Sequence, residues 1–253
     1  MAYKIAYGDV VDIVSTWEWI DFYALRSHLF PAFLSLPLHF LRFFGLDTNF
    51  MVCNSILFMN SLIQVAGDYY LFLLSNDVLG REGALMTITY SIVNRRMNEI
   101  FSKTLTNGCE AVFCIMGLYY YANLKPKFDK NMALMTFGIT IAFIVRSSSL
   151  CGWLPLALIK CFSSFDYFIA ILSSGVFVAL PTFAFSVLID SLCYGKFTCP
   201  QVNFVYVNVV DNISKYFGEE PWFYYLTELP YFLTQLEFFY EFLIFGMCLA
   251  TIY

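Results

Sequence analysis

The first feature of this 253-residue chain is how little charge it carries, since Asp, Glu, Lys and Arg together make up only 13% of it. A soluble domain usually contains about 25% charged and roughly 45–50% apolar residues. Here 60% of the residues are hydrophobic and 20% are aromatic. An aqueous core cannot hide that much apolar surface, so the composition predicts a polytopic membrane protein. Because helices satisfy their own backbone hydrogen bonds in lipid, we expect an all-α transmembrane bundle.

Several chemical signatures are also missing from the sequence. The net charge of −5 gives no basic footprint for nucleic acid. The eight cysteines form no Cys-x-x-Cys pattern and no Asp-x-Asp motif occurs, so we predict neither a metal ion nor a cofactor. Cys193 and Cys199 lie in a polar stretch, where we favour free thiols over a disulfide. Residues 1–7 contain no apolar core of a cleavable signal peptide.

Apolar stretches are what the sequence has in abundance. A spanning helix needs about 20 apolar residues, and the pattern predicts membrane helices at 50–75, 83–102, 108–121, 131–145, 150–159, 167–189 and 231–253. Residues 29–45 are shorter and are interrupted by Pro31, Pro37 and Arg42, which favours a helix that dips into one leaflet. Residues 1–28 are predicted to form a surface segment, and residues 190–230 a long aromatic and polar loop.

The distribution of basic residues predicts how the bundle is oriented. Short cytoplasmic loops carry the excess of Lys and Arg. That rule places on the cytoplasmic side Arg81, Lys125, Lys127, Lys130 and Lys160. Residues 1–28, 103–107, 146–149 and 190–230 then lie together on the luminal side of a single, partial transmembrane domain that spans residues 1–253.

These luminal segments hold most of the polar groups of interest. Thr16-Trp17-Glu18-Trp19 places a carboxylate between two indole rings, and Arg26 follows shortly afterwards. Indole rings favour the membrane interface, so the stretch predicts a polar ledge against the bilayer surface. The simpler alternative is an aromatic anchor beside a solvated glutamate. Cations at such a surface can hold a phosphate, and aromatic and amide side chains can bind a sugar.

Several motifs in a fixed order carry a resemblance to a known family. They are Thr16-Trp17-Glu18-Trp19 with Arg26-Ser27 and Pro31, Lys103-Thr104-Leu105-Thr106-Asn107 with Glu110, Ile144-Val145-Arg146, Asp190-Ser191 with Tyr194-Gly195-Lys196, Asn203-Phe204 with Asn208, and Tyr216-Phe217-Gly218 with Glu220-Pro221-Trp222. Together they resemble glycosyltransferase family 22, the dolichyl-phosphate-mannose-dependent mannosyltransferases of the endoplasmic reticulum, over residues 7 to about 235. The first two motifs are most similar to the branch that adds the third, α-1,2-linked mannose to the glycosylphosphatidylinositol (GPI) precursor.

The resemblance implies a multi-pass bundle of the GT-C glycosyltransferase type in the endoplasmic reticulum membrane. Its implied partners are membrane lipid, the dolichyl-phosphate-mannose donor and the GPI-precursor acceptor. Glu18 is then the candidate catalytic residue, which orients the sugar or a base, and Arg146 or Lys103 meets the donor phosphate. The residues implied to bind donor phosphate or sugar are Arg26, Lys103, Asn107, Arg146, Asp190, Tyr194, Lys196 and Trp222.

The chain also departs from the family pattern. That pattern begins with a transmembrane helix and a His-Pro-Asp-Glu motif, whose Asp is the expected base, and it continues through further C-terminal spans. Neither motif nor spans occur in this sequence, and Asp9 and Asp12 lack the His-Pro context. We therefore expect residues 1–253 alone to transfer no mannose. Lys103 and Ser147 also replace a usual Arg and Pro.

Three alternatives remain open at the sequence level. A family-22 enzyme of the N-glycan lipid-linked oligosaccharide pathway is the first, although its first motif is closer to Trp-Glu-Tyr. A polytopic transporter or scramblase is the second, but it should place polar residues at the bilayer midplane, often in internal repeats. An inactive fragment is the third. Asn212-Ile213-Ser214 is an acceptor sequon, which predicts glycosylation at Asn212 if residues 190–230 are luminal.

Overall fold

A computed structural model describes residues 1–8, 15–94, 98, 103, 105–217, 221, 223 and 224. The described part contains helices and no strand, which confirms the all-α prediction. Its helices are α1 (Ala2–Tyr7), α2 (Leu29–Phe43), α3 (Asn49–Val93), α4 (Thr106–Ala122), α5 (Lys130–Val145), α6 (Leu150–Ser163), α7 (Phe165–Tyr194) and α8 (Pro200–Val205). Short 3₁₀ turns lie at Trp17–Trp19, Ser147–Ser149 and Ile213–Phe217, and π-helical turns lie at Gly175–Ala179, inside α7, and at Tyr206–Val210.

Two of the described helices, α3 and α7, are long and apolar enough to cross a membrane. Helices α2 and α5 are apolar but shorter, at 15 and 16 residues. A short apolar helix agrees with the sequence expectation for residues 29–45, and Pro31 fits because it lies in the first turn, where no intrahelical donor is needed. The larger multi-pass bundle stays a prediction, and the span expected at 231–253 lies outside the described residues.

Helix α3 reverses its direction at Gly80, which has φ 75° and ψ 178°. Ser91 donates a hydrogen bond to Asp68 at 2.7 Å, although the two residues are 23 positions apart. In a straight helix they would be separated by roughly 35 Å. Gly80 therefore forms the apex of an antiparallel helical hairpin, as the separate spans predicted at 50–75 and 83–102 require.

The apex of α3, the α4–α5 loop and the C-terminus of α6 lie together, and we call this the basic end of the bundle. Asn123, just after α4, donates to Asp77 near the apex at 3.0 Å. The Lys160 ammonium lies 5.1 Å from the ring centroids of both Tyr121 and Tyr167. The segments predicted to share the cytoplasmic side therefore share one end of the structure.

Helices α4 and α5 pack closely because a glycine lies at their contact. A Cβ atom added to Gly138 would lie 3.1 Å from the Phe113 carbonyl oxygen. Small residues let helix backbones approach, which is a common device in membrane bundles where lipid gives no hydrophobic drive. The neighbouring core joins α1, α2, the N-terminus of α4 and the C-terminus of α5. Its buried residues include Ala6, Tyr7, Phe30, Leu34, Leu38, Cys109 and Val145.

The loop predicted at 190–230 is wrong over the part that the structure describes. Helix α7 continues to Tyr194 and ends at Gly195, whose left-handed conformation with φ 66° is easy for glycine. Pro200 then starts α8 at a position where its missing N–H costs nothing. The mixed aromatic and polar composition hid these helical turns because it gives no continuous apolar run of the kind that predicts a spanning helix.

Candidate active site

We call residues 17–26 the ledge, and an ion pair between Glu18 and Arg26 joins the two ends of this segment. Arg26 Nη2 donates to Glu18 Oε1 at 2.8 Å, and both side chains are partly exposed. The Trp17 ring packs against Tyr23 with centroids 5.7 Å apart, and the Trp19 ring packs against His28 at 5.0 Å. The carboxylate is thus fixed by a guanidinium and still reachable from outside.

Asp190 joins the end of α7 to the start of α2. Its side chain is fully buried, with 0% exposure, and its Oδ1 accepts from the His28 backbone N–H at 2.6 Å and from the Ser27 hydroxyl at 3.2 Å. Ser186, one turn earlier on α7, donates to Oδ2 at 3.4 Å. Because these hydrogen bonds occupy both carboxylate oxygens inside the protein, Asp190 is placed to position the segment from Glu18 to Arg26.

Tyr194 and Lys196 attach the same segment to the C-terminus of α7. The buried Tyr194 hydroxyl donates to the Arg26 carbonyl at 2.8 Å. The exposed Lys196 ammonium donates to the Asp21 carbonyl. Asp190, Tyr194 and Lys196, at and just beyond the C-terminal end of α7, therefore all hold the ledge or its neighbour His28 by hydrogen bonds.

His28 is enclosed between these elements. Its ring lies edge-on to Trp19 at 5.0 Å and to Tyr194 at 4.4 Å. Burial lowers the pKa of His28 from 6.5 to about 4, against a smaller opposing effect from Asp21. The imidazole is therefore neutral near pH 7, and its Nδ1 has no hydrogen-bond partner among the described residues.

Arg146 lies between the C-terminus of α5 and the 3₁₀ turn Ser147–Ser149 that leads to α6. Its Nε lies 3.6 Å from Glu110 Oε2 in the first turns of α4. Gln201 of α8 donates to the Ile144 carbonyl at 3.1 Å, and Asn203 donates to the carbonyls of Tyr23 and Ala24. Helix α8 thus links the C-terminus of α5, next to Arg146, to the ledge.

The N-termini of α2 and α4, the C-termini of α5 and α7, and α8 together form what we call the polar end, opposite the basic end. It contains Glu18, Arg26, Arg146, Asp190, Tyr194 and Lys196. Lys103, just before α4, and Asn107, in its first turn, are both exposed. Trp222 lies outside the described residues. Asn212 is exposed and has φ 49°.

Ser186 and Gln201 were not found by sequence reasoning, and the pairing of Glu110 with Arg146 was not predicted, although Glu110 belongs to one of the family motifs. For Ser186 a signal existed, since it lies four positions before Asp190 and so on the same helical face. The contacts of Gln201 and Glu110 span long sequence separations, for which a single sequence offers no periodic signal. Cys193 and Cys199 are free thiols, as predicted.

Long apolar helices with carboxylates, cations and aromatic rings collected at one end define a helical membrane protein with a polar site at its surface. The chain belongs to the Alg9-like mannosyltransferase family, whose profile matches residues 5–252.

Curated relatives agree with that assignment. The chain is 28% identical to mannosyltransferase APTG1 of Arabidopsis thaliana over 216 residues, which cover 84% of this chain and 39% of that protein. It is 27% identical to GPI alpha-1,2-mannosyltransferase 3 of Homo sapiens over 226 residues, covering 88% and 40%. It is 27% identical to GPI mannosyltransferase 3 of Candida albicans over 213 residues, covering 83% and 42%. The chain therefore spans about two fifths of the length of these relatives. No solved structure matches it.

Proposed function

We propose that this protein transfers mannose from dolichyl-phosphate-mannose to the GPI precursor, adding the third, α-1,2-linked mannose. The observation that carries the proposal is the polar end, where the Glu18–Arg26 pair, Arg146 and the supports around Asp190 come together. The names of the human and Candida relatives support the GPI acceptor and the mannosyl reaction.

The reaction joins an acceptor hydroxyl oxygen to C1 of the donor mannose and breaks the bond between C1 and the phosphate oxygen. Attack from the face opposite the phosphate converts the β-linked donor into an α-linked product. The hydroxyl proton leaves to a base, and dolichyl phosphate departs with the bonding electron pair. A phosphate leaves without an obligatory acid when cations meet its developing charge.

The geometry suggests a division of roles at the polar end. Arg146 follows α5 and Lys103 precedes α4, and we assign both as the cations that meet the donor phosphate, while Glu110 holds the Arg146 side chain until the phosphate arrives. Glu18, with Arg26 as its clamp, orients the reacting sugar. Asn107 and Trp222 are assigned to sugar contacts.

Asp190, Tyr194 and Lys196 act in a different way, because their polar atoms are already used to hold the ledge. We assign them to positioning Glu18 and Arg26. An ordered ledge matters because catalytic groups must be held close to their productive geometry before substrate arrives.

The proposed location is the endoplasmic reticulum membrane, with the polar end in the lumen. Arg81, Lys125, Lys127, Lys130 and Lys160 then face the cytosol at the basic end, as the distribution of positive charge in membrane proteins requires. Both substrates are lipid-linked, so a site at the membrane surface can receive them from the bilayer plane.

Disrupting the gene that encodes this sequence in its own host cell tests the proposal, with GPI precursors analysed by mass spectrometry. The expected result is a precursor that stops at two mannoses, together with unchanged lipid-linked N-glycan oligosaccharides. Restoring the gene should restore the third mannose. A truncated N-glycan precursor with normal GPI lipids would instead assign the protein to the N-glycan pathway and overturn the proposed acceptor.

A further inference from the structure

A second polar feature lies beside the ledge and shares Lys196 with it. It is an open cavity of about 540 Å³ between the ledge and the segment from Lys196 to Asp211. Its volume is within the range of roughly 300–1,000 Å³ that is usual for ligand sites. Two aromatic side chains at its border, Phe22 and Phe197, are 82% and 87% exposed. Both rings are therefore open to a molecule that enters the cavity.

The walls of the cavity are fixed by hydrogen bonds. Asn203 Nδ2 donates to the Tyr23 carbonyl at 3.2 Å and the Ala24 carbonyl at 3.3 Å. Ala24 is fully buried and has φ 45°, a left-handed conformation that is uncommon for alanine and is retained only where surroundings enforce it. The opposite wall contains the π-helical turn Tyr206–Val210, and such turns are frequent at functional sites.

The charges around the cavity favour an uncharged, polar ligand. Among the described residues that line it are one ammonium, on Lys196, and one carboxylate, on Asp211. The Lys196 ammonium already donates to the Asp21 carbonyl, so a phosphate entering here would meet a carboxylate and only a partly engaged cation. The cations that we assign to an anionic ligand are Arg146, which follows α5, and Lys103, which precedes α4.

Aromatic rings combined with amide, hydroxyl and charged groups match one class of ligand. A pyranose has an apolar C–H face that packs on a ring and a rim of hydroxyl groups that need donors and acceptors. Phe22, Phe197 and the partly exposed Tyr206 supply the rings. The Asn203 side-chain oxygen and the Asp211 carboxylate supply polar atoms that the hydrogen bonds of the described residues do not use. A fatty acyl chain would remove these oxygens from water without giving them a partner.

We propose that this cavity binds a mannose residue of the acceptor glycan. The proposal rests on the proposed function and adds the place of the acceptor. Tyr23 lines the cavity and its ring contacts Trp17, the neighbour of Glu18, at 5.7 Å. A glycan held here extends toward the Glu18–Arg26 pair, while the donor phosphate lies near Arg146.

Transfer kinetics in membranes test the subsite, using cells in which Phe197→Ala or Tyr206→Ala replaces the native codon. With saturating dolichyl-phosphate-mannose, each substitution should raise the KM for the GPI acceptor at least tenfold and leave the KM for the donor unchanged. Phe162→Ala is the matched control, since Phe162 is 85% exposed on α6 toward the basic end. Unchanged acceptor KM, or an equal rise in both KM values, would overturn the subsite.

Direct binding separates this proposal from the enzyme assignment. The protein of the native gene, purified in detergent, should give a saturation-transfer NMR signal with methyl α-mannopyranoside, and Tyr206→Ala should abolish the signal while Tyr206→Phe retains it. Retention by Tyr206→Phe also shows that this position tolerates substitution. A binding signal from the protein of the native gene, together with no mannosyl transfer in membranes that carry that gene, would overturn the proposed function and leave the subsite intact. Transfer in those membranes without a Tyr206-dependent binding signal would overturn the subsite and leave the proposed function intact.

Discussion

At the scale of single residues, the buried carboxylate of Asp190 is the group on which the ledge depends most. Asp190→Ala removes both acceptor oxygens and leaves the His28 backbone N–H without its acceptor. A buried donor left without a partner costs about 1–3 kcal/mol. We expect a clearly lower unfolding temperature in detergent, measured by fluorescence-detected size exclusion. Glu82→Ala, at an exposed position near the α3 apex, is the control. Equal unfolding temperatures for the two variants would contradict this role.

A second residue-scale prediction concerns the pH dependence of stability. The pKa of His28 falls to about 4 in the folded protein, below its ordinary value of 6.5. The unfolded chain therefore takes up a proton between these values while the native ring stays neutral. The part of the free energy of unfolding that depends on neutral His28 is fully present above pH 6.5. It decreases as the pH falls toward 4, by about 1.4 kcal/mol per pH unit at most. His28→Phe removes this titration and should flatten the thermal stability profile over that window. Parallel profiles for both proteins would refute the assignment.

At the scale of helices, the contact between α4 and α5 makes a sharp prediction. Gly138→Ala places a methyl group 3.1 Å from the Phe113 carbonyl, which is backbone and cannot turn away. The helices must separate, so the thermal stability should fall despite the better helix propensity of alanine. Gly152→Ala on α6 is the matched control, because nothing lies within 4 Å of its added Cβ. That variant should be equal to or slightly more stable than the wild type. A harmless Gly138→Ala would show that the helices are looser than described.

Helix boundaries also show what a single sequence can predict. The segment predicted at 131–145 became α5, Lys130–Val145, because Asp129 caps it by accepting from Met132 N–H at 3.0 Å. The family resemblance was likewise predictable, since it rests on several motifs in order. The short helix α8 was not, because its place is decided by Gln201 and Asn203 bonding to residues far away in the chain. Tertiary partners of this kind leave no periodic signal.

At the scale of the whole molecule, the orientation of the two ends can be tested by glycosylation. Asn212 is exposed at the polar end within the sequon Asn212-Ile213-Ser214. If that end is luminal, endoglycosidase should increase the mobility of the wild type and leave Asn212→Gln unchanged. Lys125→Thr creates a sequon at Asn123 on the basic end and supplies the matched control, which should stay unmodified in an Asn212→Gln background. Modification at Asn123 in place of Asn212 would invert the proposed topology.

The site itself is also a property of the whole molecule, because it needs several helix ends to meet. Arg146 belongs to the polar end, where the donor phosphate is proposed to bind, and Arg81 belongs to the opposite end. Both substitutions remove one guanidinium, so their comparison isolates position from charge. Losing one group that stabilises charge in the transition state commonly costs about 10²-fold in rate.

The most direct measurement is therefore mannosyl transfer from dolichyl-phosphate-mannose to the GPI precursor in membranes whose native gene carries Arg146→Ala or Arg81→Ala, with protein levels matched by immunoblot. We predict that Arg146→Ala lowers the transfer rate by roughly 10²-fold, whereas Arg81→Ala leaves it nearly unchanged. Equal rates for the two variants, whether both high or both low, would contradict a donor phosphate site at the polar end.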